Sequence, residues 1–289
     1  MDRDLKRLVM AVGAHADDLE IHTGGTLLKY QDLGYEILYV MATNNMSGIT
    51  AALQPDGAIQ LSRETPEAHV VRRKQECADA AKVLGTEPVH LDHPQRHFNT
   101  GVGNETQEVQ YGCPLPGGVP ENTPTILTAC EDETAIRQLA DLILARDPEI
   151  ILTHGVAQRN IEHFATCLLV TNAFWAAVEH GYAGGLLQWR EAMTLHGDYN
   201  TCWETHVKCD GYLDSKMALI GKHSCQMPTA HLPDHGHRQL AEWRGKLSGC
   251  ETAEFFTWVR RPTRNTAKIT GGYSPIHGEL TMELIKNSQ

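Results

Sequence analysis

Two short stretches carry residue types that can bind a divalent cation and move a proton. The first is His15-Ala16-Asp17-Asp18-Leu19-Glu20, directly after the apolar run Val9-Met10-Ala11-Val12-Gly13. The second is Asn160-Ile161-Glu162-His163, shortly after Glu149-Ile150-Ile151-Leu152-Thr153-His154. Zinc takes imidazole nitrogen and carboxylate oxygen, and a catalytic zinc site uses three protein ligands and keeps one position for water. His15 and Asp18 can supply two ligands. The third must come from elsewhere, and both His154 and His163 follow the second apolar run. Asp17 and Asp18 are adjacent, so they cannot comfortably share one coordination position. One can bind while the other accepts a proton from the activated water. The competing reading is a strand-to-helix turn in which an Asp caps the helix. The second cluster weighs against it.

Other chemistries fit less well. A strand, turn and helix near the N-terminus invite a dinucleotide reading, but G-x-G-x-x-G is absent, and two carboxylates would repel a pyrophosphate. No G-x-S-x-G elbow is present. None of the 8 cysteines forms a C-x-x-C pair, and they read as buried, reduced thiols of a cytoplasmic protein. A formal net charge of -11 argues against nucleic acid as a partner. The N-terminus does not read as a signal peptide, and no run approaches the ~18–20 apolar residues of a membrane span. The expected partner is a small molecule, with no membrane and no nucleic acid, and a homo-oligomer stays open.

The elements that must position these residues follow from hydrophobic period and punctuation. With 289 residues, 41% of them hydrophobic, the chain can bury one large core. Residues 8–14 predict a buried strand, 24–33 a helix stopped by Gly34, and 36–42 a second strand. Such a βαβ unit belongs to a parallel sheet, and ligands bind beyond the carboxyl ends of its strands. That places His15, Asp17, Asp18 and the loop bearing Asn44 on one rim. Thr65-Pro66 predicts a capped helix reaching about residue 84. Its apolar stripe (Val70, Cys77, Ala81, Leu84) also holds Arg73, which is either a structural ion-pair partner or an arginine aimed into a polar pocket. Residues 88–92 predict a third strand, and 93–130 an irregular cap over the strand ends. A helix over 132–145, a strand over 149–154 and an apolar helix over 164–179 follow. Beyond them we expect strands over 192–196 and 209–212, helices over 213–222 and 240–247, a strand over 255–260 and a polar tail. No repeat or linker divides the chain, so residues 1–289 are expected to form a single domain.

The motifs also carry a resemblance. Ala14-His15-Ala16-Asp17-Asp18-Leu19-Glu20, followed by Gly24-Gly25-Thr26-Leu27, is similar to the A-H-P-D-D-E…G-G-T signature of the LmbE/PIG-L family. Members are metal-dependent deacetylases of N-acetylglucosaminyl compounds with a Rossmann-like fold. Arg73-x-x-Glu76 with Leu84-Gly85, Asp147 to His154, Glu162-His163, His223-Ser224-Cys225-Gln226 and Ala253-Glu254-Phe255-Phe256 resemble further family segments in the same order. The resemblance implies an α/β, Rossmann-like, mostly parallel sheet flanked by helices, with C-terminal additions closing the site. It implies His15, Asp18 and His163 as ligands of zinc, or of another divalent metal such as Fe2+, and Asp17 as general base. Arg73 would contact the sugar, and Asn44, His154 and His223 join it as substrate-side candidates. The chain departs from the family pattern at Ala16, which stands for a proline, at Pro94-Gln95-Arg96, where P-D-G is usual, and within the second motif. Asn160 stands where the family has a histidine that assists the oxyanion or leaving amine, and Glu162 stands for an aspartate. Asn160 can donate to an oxyanion but cannot shuttle a proton, so His154 or His223 would have to do so. The reading is a hydrolase removing an N-acyl group, acetyl first, from an amino-sugar compound. The alternatives are a hydrolase of a non-sugar amide on the same scaffold, and a non-catalytic metal- or sugar-binding protein.

Overall fold

An unbroken apolar strand needs cover on both faces, and β1 (Leu8–Gly13) receives it, with all six residues buried. The computed structural model describes residues 7–46, 50–62, 64–95, 124–156, 160–191 and 204–262. After β1 come α1 (Asp18–Asp32), β2 (Glu36–Thr43), β3 (Thr50–Leu53), β4 (Ile59–Ser62), α2 (Pro66–Val83) and β5 (Val89–His93). Then follow α3 (Ile126–Ala129), α4 (Glu133–Arg146), β6 (Ile150–His154), α5 (Ile161–Glu179) and β7 (Gly185–Trp189). The described chain ends with β8 (Thr205–Lys208), α6 (Leu213–Ile220), α7 (Gly236–Ser248) and β9 (Ala253–Arg260).

The main sheet has the order β5-β2-β1-β6-β7-β9-β8. β5, β2, β1, β6 and β7 run parallel, and β9 pairs antiparallel with both β7 and β8. Val9 and Ala11 of β1 face a core that includes Leu27, Tyr30 and Cys77, on the side of α1 and α2. Leu8, Met10 and Val12 face the opposite core of α3, α4 and α5, around Ile143, Leu169 and Phe174. The strand order reverses between β1 and β6, and the carboxyl ends of two strands flanking such a reversal leave a crevice for ligand. Both histidine-bearing stretches emerge there. α5 is long and apolar enough to cross a membrane. Here its buried residues belong to the core, and its first turn carries His163.

Several sequence expectations are met. Thr65 caps α2, accepting from the Ala68 N–H, and Pro66 opens the helix. Gly85 and Gly249 take positive φ after α2 and α7. β3 and β4 pair antiparallel as a separate two-stranded sheet. Two expectations fail, α3 lies within the stretch expected to be irregular, and the strand over 192–196 lies outside the described residues, as do most of the cap (96–123) and the tail. α1 begins at Asp18, six residues earlier than expected, so Gly24 and Gly25 lie inside it. A Cβ on Gly25 would come within 2.8 Å of Cys209 Sγ, and one on Gly24 within 3.3 Å of Lys216 Cγ. Close approach, not a helix boundary, requires Gly25, and at Gly24 a Cβ would press on the Lys216 side chain. The Glu254 carboxylate accepts the Gly25 and Thr26 N–H groups at 2.9 and 2.8 Å, and Lys216 Nζ meets it at 2.6 Å. Residues 209–212 form a turn with Gly211 at φ 80, and the strand there is β8, ending one residue earlier. β7 was not anticipated.

Candidate metal centre

The chain leaves β1 at Gly13, where a Cβ would lie 2.9 Å from Met41 Cε. The following turn is pinned by its neighbours. Ala14 N–H donates to His154 Nε2 at 3.0 Å, Thr43 Oγ1 donates to the Ala14 carbonyl at 2.7 Å, and Ala16 N–H donates to Asn45 Oδ1 at 2.6 Å. Asp17 then takes φ 102, a region that a side chain with a Cβ occupies only under constraint. The turn closes through Asp18 N–H to the His15 carbonyl and His15 N–H to Asp18 Oδ2 at 2.6 Å. Asp17 precedes α1 but makes no capping hydrogen bond, which removes the helix-cap alternative. Its carboxylate lies 3.2 Å from Arg73 Nη2 instead.

His163, one turn into α5, completes a trio of donors. His15 Nδ1 lies 3.0 Å from His163 Nε2, Asp18 Oδ1 is 3.3 Å from His163 Nε2, and Asp18 Oδ2 is 3.6 Å from His15 Nδ1. Ligands about 2.0–2.1 Å from a tetrahedral zinc are separated from one another by about 3.3–3.4 Å. The donor set therefore has close to the spacing such an ion requires. The far nitrogen of each ring meets a carboxylate, as in carboxylate–histidine–metal arrangements. His15 Nε2 is 2.7 Å from Glu162 Oε2, which also accepts from Gln95 Nε2 at 2.8 Å. His163 Nδ1 is 3.0 Å from Glu191 Oε1. The side chains of His15, Asp17 and His163 keep 15%, 13% and 12% exposure, so this face opens to solvent.

The adjacent carboxylates are driven apart electrostatically. Burial raises the Asp17 pKa above the ordinary carboxylate range, with Arg73 opposing and Asp18 reinforcing the shift. Burial also works against charge on Asp18, but His163 and the other nearby histidines outweigh it and hold the pKa well below that range. Burial lowers the pKa of His163, yet Asp18 and Glu191 together lift it to about 9. Pairs whose environments separate their pKa values commonly divide roles: here a permanently ionised Asp18 and a more basic Asp17.

The substrate-side candidates occupy different positions. Arg73 is 4% exposed, and its guanidinium serves Asp17, the Ala16 carbonyl and Glu76, so it stands behind Asp17. Glu76 in turn accepts the Cys225 N–H at 2.8 Å and ties in the His223–Gln226 segment. His223 is fully buried with Nε2 3.0 Å from Glu20 Oε2. Burial lowers its pKa, but Glu20 and Asp17 raise it overall. His154 is also fully buried. Burial this deep leaves Arg73, His154 and His223 almost no solvent-facing surface. Asn44 is half-buried, with its amide oxygen accepting from Met46 and Gln95 N–H groups. Its neighbour Asn45, at φ 57, shapes the metal turn. Asn160 caps α5 through its amide oxygen, 2.9 Å from the Glu162 N–H, which leaves Nδ2 as its donor. Sequence reasoning missed Glu191, Gln95 and Asn45. The only local sign of Glu191 was an acid two residues beyond Trp189, at a strand end.

Residues 10–174, more than half of the chain, match the model of the PIG-L family, described as GlcNAc-PI de-N-acetylase. The chain belongs to the PIG-L family. A 1D-myo-inositol 2-acetamido-2-deoxy-alpha-D-glucopyranoside deacetylase of Kineococcus radiotolerans is 25% identical over 194 residues, 65% of this chain and 51% of the relative. A protein of the same name from Thermomonospora curvata is 27% identical over 151 residues, 52% of this chain and 46% of its own. The chain thus spans about half the length of these curated PIG-L relatives. Among solved structures, the 4-carboxy-2-hydroxymuconate hydratase GalB of Pseudomonas putida superposes with TM-score 0.63 at 18% identity, covering 90% of this chain and 99% of GalB. The N,N'-diacetylchitobiose deacetylase of Pyrococcus horikoshii gives 0.61 at 16% identity, covering 88% and 84%. These two establish the shared fold.

Proposed function

We propose that this PIG-L protein is a metal-dependent N-deacylase, removing acetyl in the first instance from an amino-sugar-containing small molecule. The observation that carries the reading is the convergence of His15, Asp18 and His163 beside a separately basic Asp17, with His15, Asp17 and His163 partly exposed to solvent. The names of the PIG-L relatives, deacetylases of an acetamido-deoxy-glucopyranoside, support the substrate class. Zinc, or another divalent ion such as Fe2+, bound by the three donors would supply Lewis acidity towards water and the acyl oxygen.

The chain's own groups perform the remaining work. Asp17, raised by burial and steadied by Arg73, accepts the proton of the attacking water. Asp18 stays ionised throughout. Asn160 Nδ2 donates to the developing oxyanion while its oxygen holds the α5 terminus. Asn160 has no proton to pass on, and the enclosed His154 and His223 do not reach the leaving amine. The protonated Asp17 therefore returns its proton to that amine.

Three variants test this against a panel of N-acetylated sugars, sugar conjugates and simple amides. Asp18→Ala should lose stoichiometric zinc. Asp17→Asn should keep zinc and lose turnover, and full activity in it would rule out Asp17 as base. Asn160→Ala should lose about 10²–10³ in kcat. A second reading, hydrolysis of a non-sugar amide, is favoured by Asn160 and Glu162 standing where the family pattern has His and Asp. Turnover confined to simple amides in the same panel would select it.

A further inference from the structure

The metal centre has a carboxylate that no motif announces. Glu191 follows β7, two residues after Trp189, and its side chain is largely enclosed, with 12% exposure. Oε1 lies 2.5 Å from His154 Nδ1, 3.0 Å from His163 Nδ1 and 3.3 Å from Trp189 Nε1, and Oε2 lies 3.1 Å from His163 Nδ1.

The proton positions follow from the obligatory donors. His154 Nε2 lies 3.0 Å from the Ala14 backbone N–H, which can only donate, and 3.2 Å from Asp18 Oδ2; the Ala14 bond calls for a lone pair on Nε2 and puts the ring proton on Nδ1. That proton is donated to Glu191. Trp189 Nε1–H is also donor-only. Two donors, fixed by β6 and β7, thus set the carboxylate independently of any metal. A carboxylate held in this way accepts one further proton, from His163 Nδ1. Once the ring is neutral, Nε2 of His163 carries the lone pair, and it faces His15 and Asp18.

We propose that Glu191 is a positioning residue that fixes the tautomer and ring orientation of His163, and thereby sets the affinity of the three-donor centre for its metal. The inference rests on the metal reading above and extends it to a residue outside the ligand set. Burial opposes charge on Glu191, but His22, His154 and His163 hold its pKa well below the usual range, consistent with a permanent acceptor.

The test is metal affinity, measured on metal-free protein by competition with a chromophoric chelator. Wild type should take up one zinc per chain. Glu191→Gln keeps the size and removes the charge. It should weaken zinc binding about 10–100-fold, the usual cost of removing such a partner, while metal-free protein unfolds at the wild-type urea concentration. Cobalt loading should show an altered visible spectrum in the variant. A Glu191→Gln affinity within about twofold of a zinc-binding wild type overturns the proposal and leaves the metal reading standing. A wild type that binds no stoichiometric metal overturns both. If the variant does not fold, nitrogen NMR of labelled, zinc-loaded wild type decides. His163 should bind through Nε2 with a slowly exchanging proton on Nδ1, and binding through Nδ1 overturns the proposal.

Discussion

The helix that delivers Asp18 is held by a buried ion pair far from the metal ligands, and Lys216→Met probes it. Lys216 and Glu254 are 4% and 1% exposed, and their charged atoms are 2.6 Å apart. Glu254 also accepts two N–H groups of α1, from Gly25 and Thr26. Removing one partner of a buried pair typically costs about 3–5 kcal/mol, because the other charge is left enclosed and unpaired. The two backbone donors remain in Lys216→Met, so the lower end applies, about 3 kcal/mol. For a chain of this size that is a fall in Tm on the order of 6–12 °C. Urea unfolding should show a lower midpoint at unchanged m. The double variant Lys216→Met/Glu254→Gln should recover part of the loss, since the amide leaves no bare charge. A single variant within about 1 kcal/mol of wild type would refute the idea that this pair is the compensated charge holding α1.

Gly25→Ala should destabilise by about 1–3 kcal/mol, because its Cβ meets Cys209 Sγ at 2.8 Å and Cys209 Cβ at 2.9 Å. Cys209→Ala should not rescue it in a thermal melt, whereas Cys209→Gly should in part. Metal uptake should depend on pH with a definite sign. Metal-free His163 titrates at about 9, so zinc must displace its proton below that value. Affinity should rise by up to about tenfold per pH unit towards 9, and calorimetry in two buffers at neutral pH should register proton release. A zinc Kd independent of pH across this range would exclude the assignment. The same raised pKa stabilises the metal-free fold fully below about 6.5, and that contribution is lost as pH rises through about 9.

The half of the site contained in four consecutive residues was legible because everything needed to read it is local. An apolar strand ends, and His15, Asp17 and Asp18 follow it at once. The third donor could not be chosen from spacing, since His154 ends β6 and His163 follows it in the first turn of α5. The backbone amide of Ala14, 140 residues away, is what occupies His154 and leaves His163 free to face His15. Glu191 was invisible for the same reason, because its partners sit on β6, β7 and α5. Gly24 and Gly25 were misplaced because glycine more often ends a helix than lines a close contact. The contact that demands Gly25 comes from Cys209, and Lys216 crowds Gly24. β7 escaped because Gly184-Gly185 reads as a loop, although a Cβ on Gly185 would lie 2.7 Å from Pro262 Cδ.

Arg73 marks where the structure changes the chemistry expected of a residue. Its buried guanidinium neutralises Asp17 and also bonds the Ala16 carbonyl, so it holds the strained turn at φ 102 while restraining the basicity of the carboxylate. Lysine cannot reproduce this, because one ammonium lacks the planar fork that reaches Asp17, Ala16 and Glu76 together. Arg73 lowers the Asp17 pKa, so weakening that contact raises it. A base must be ionised to act, and the acid limb of kcat/KM in Arg73→Lys should therefore move to higher pH. An arginine that only gripped the sugar would raise KM and leave the limb where it was. An unshifted acid limb with a raised KM would return Arg73 to the substrate, and a shifted limb with KM unchanged would keep it behind Asp17.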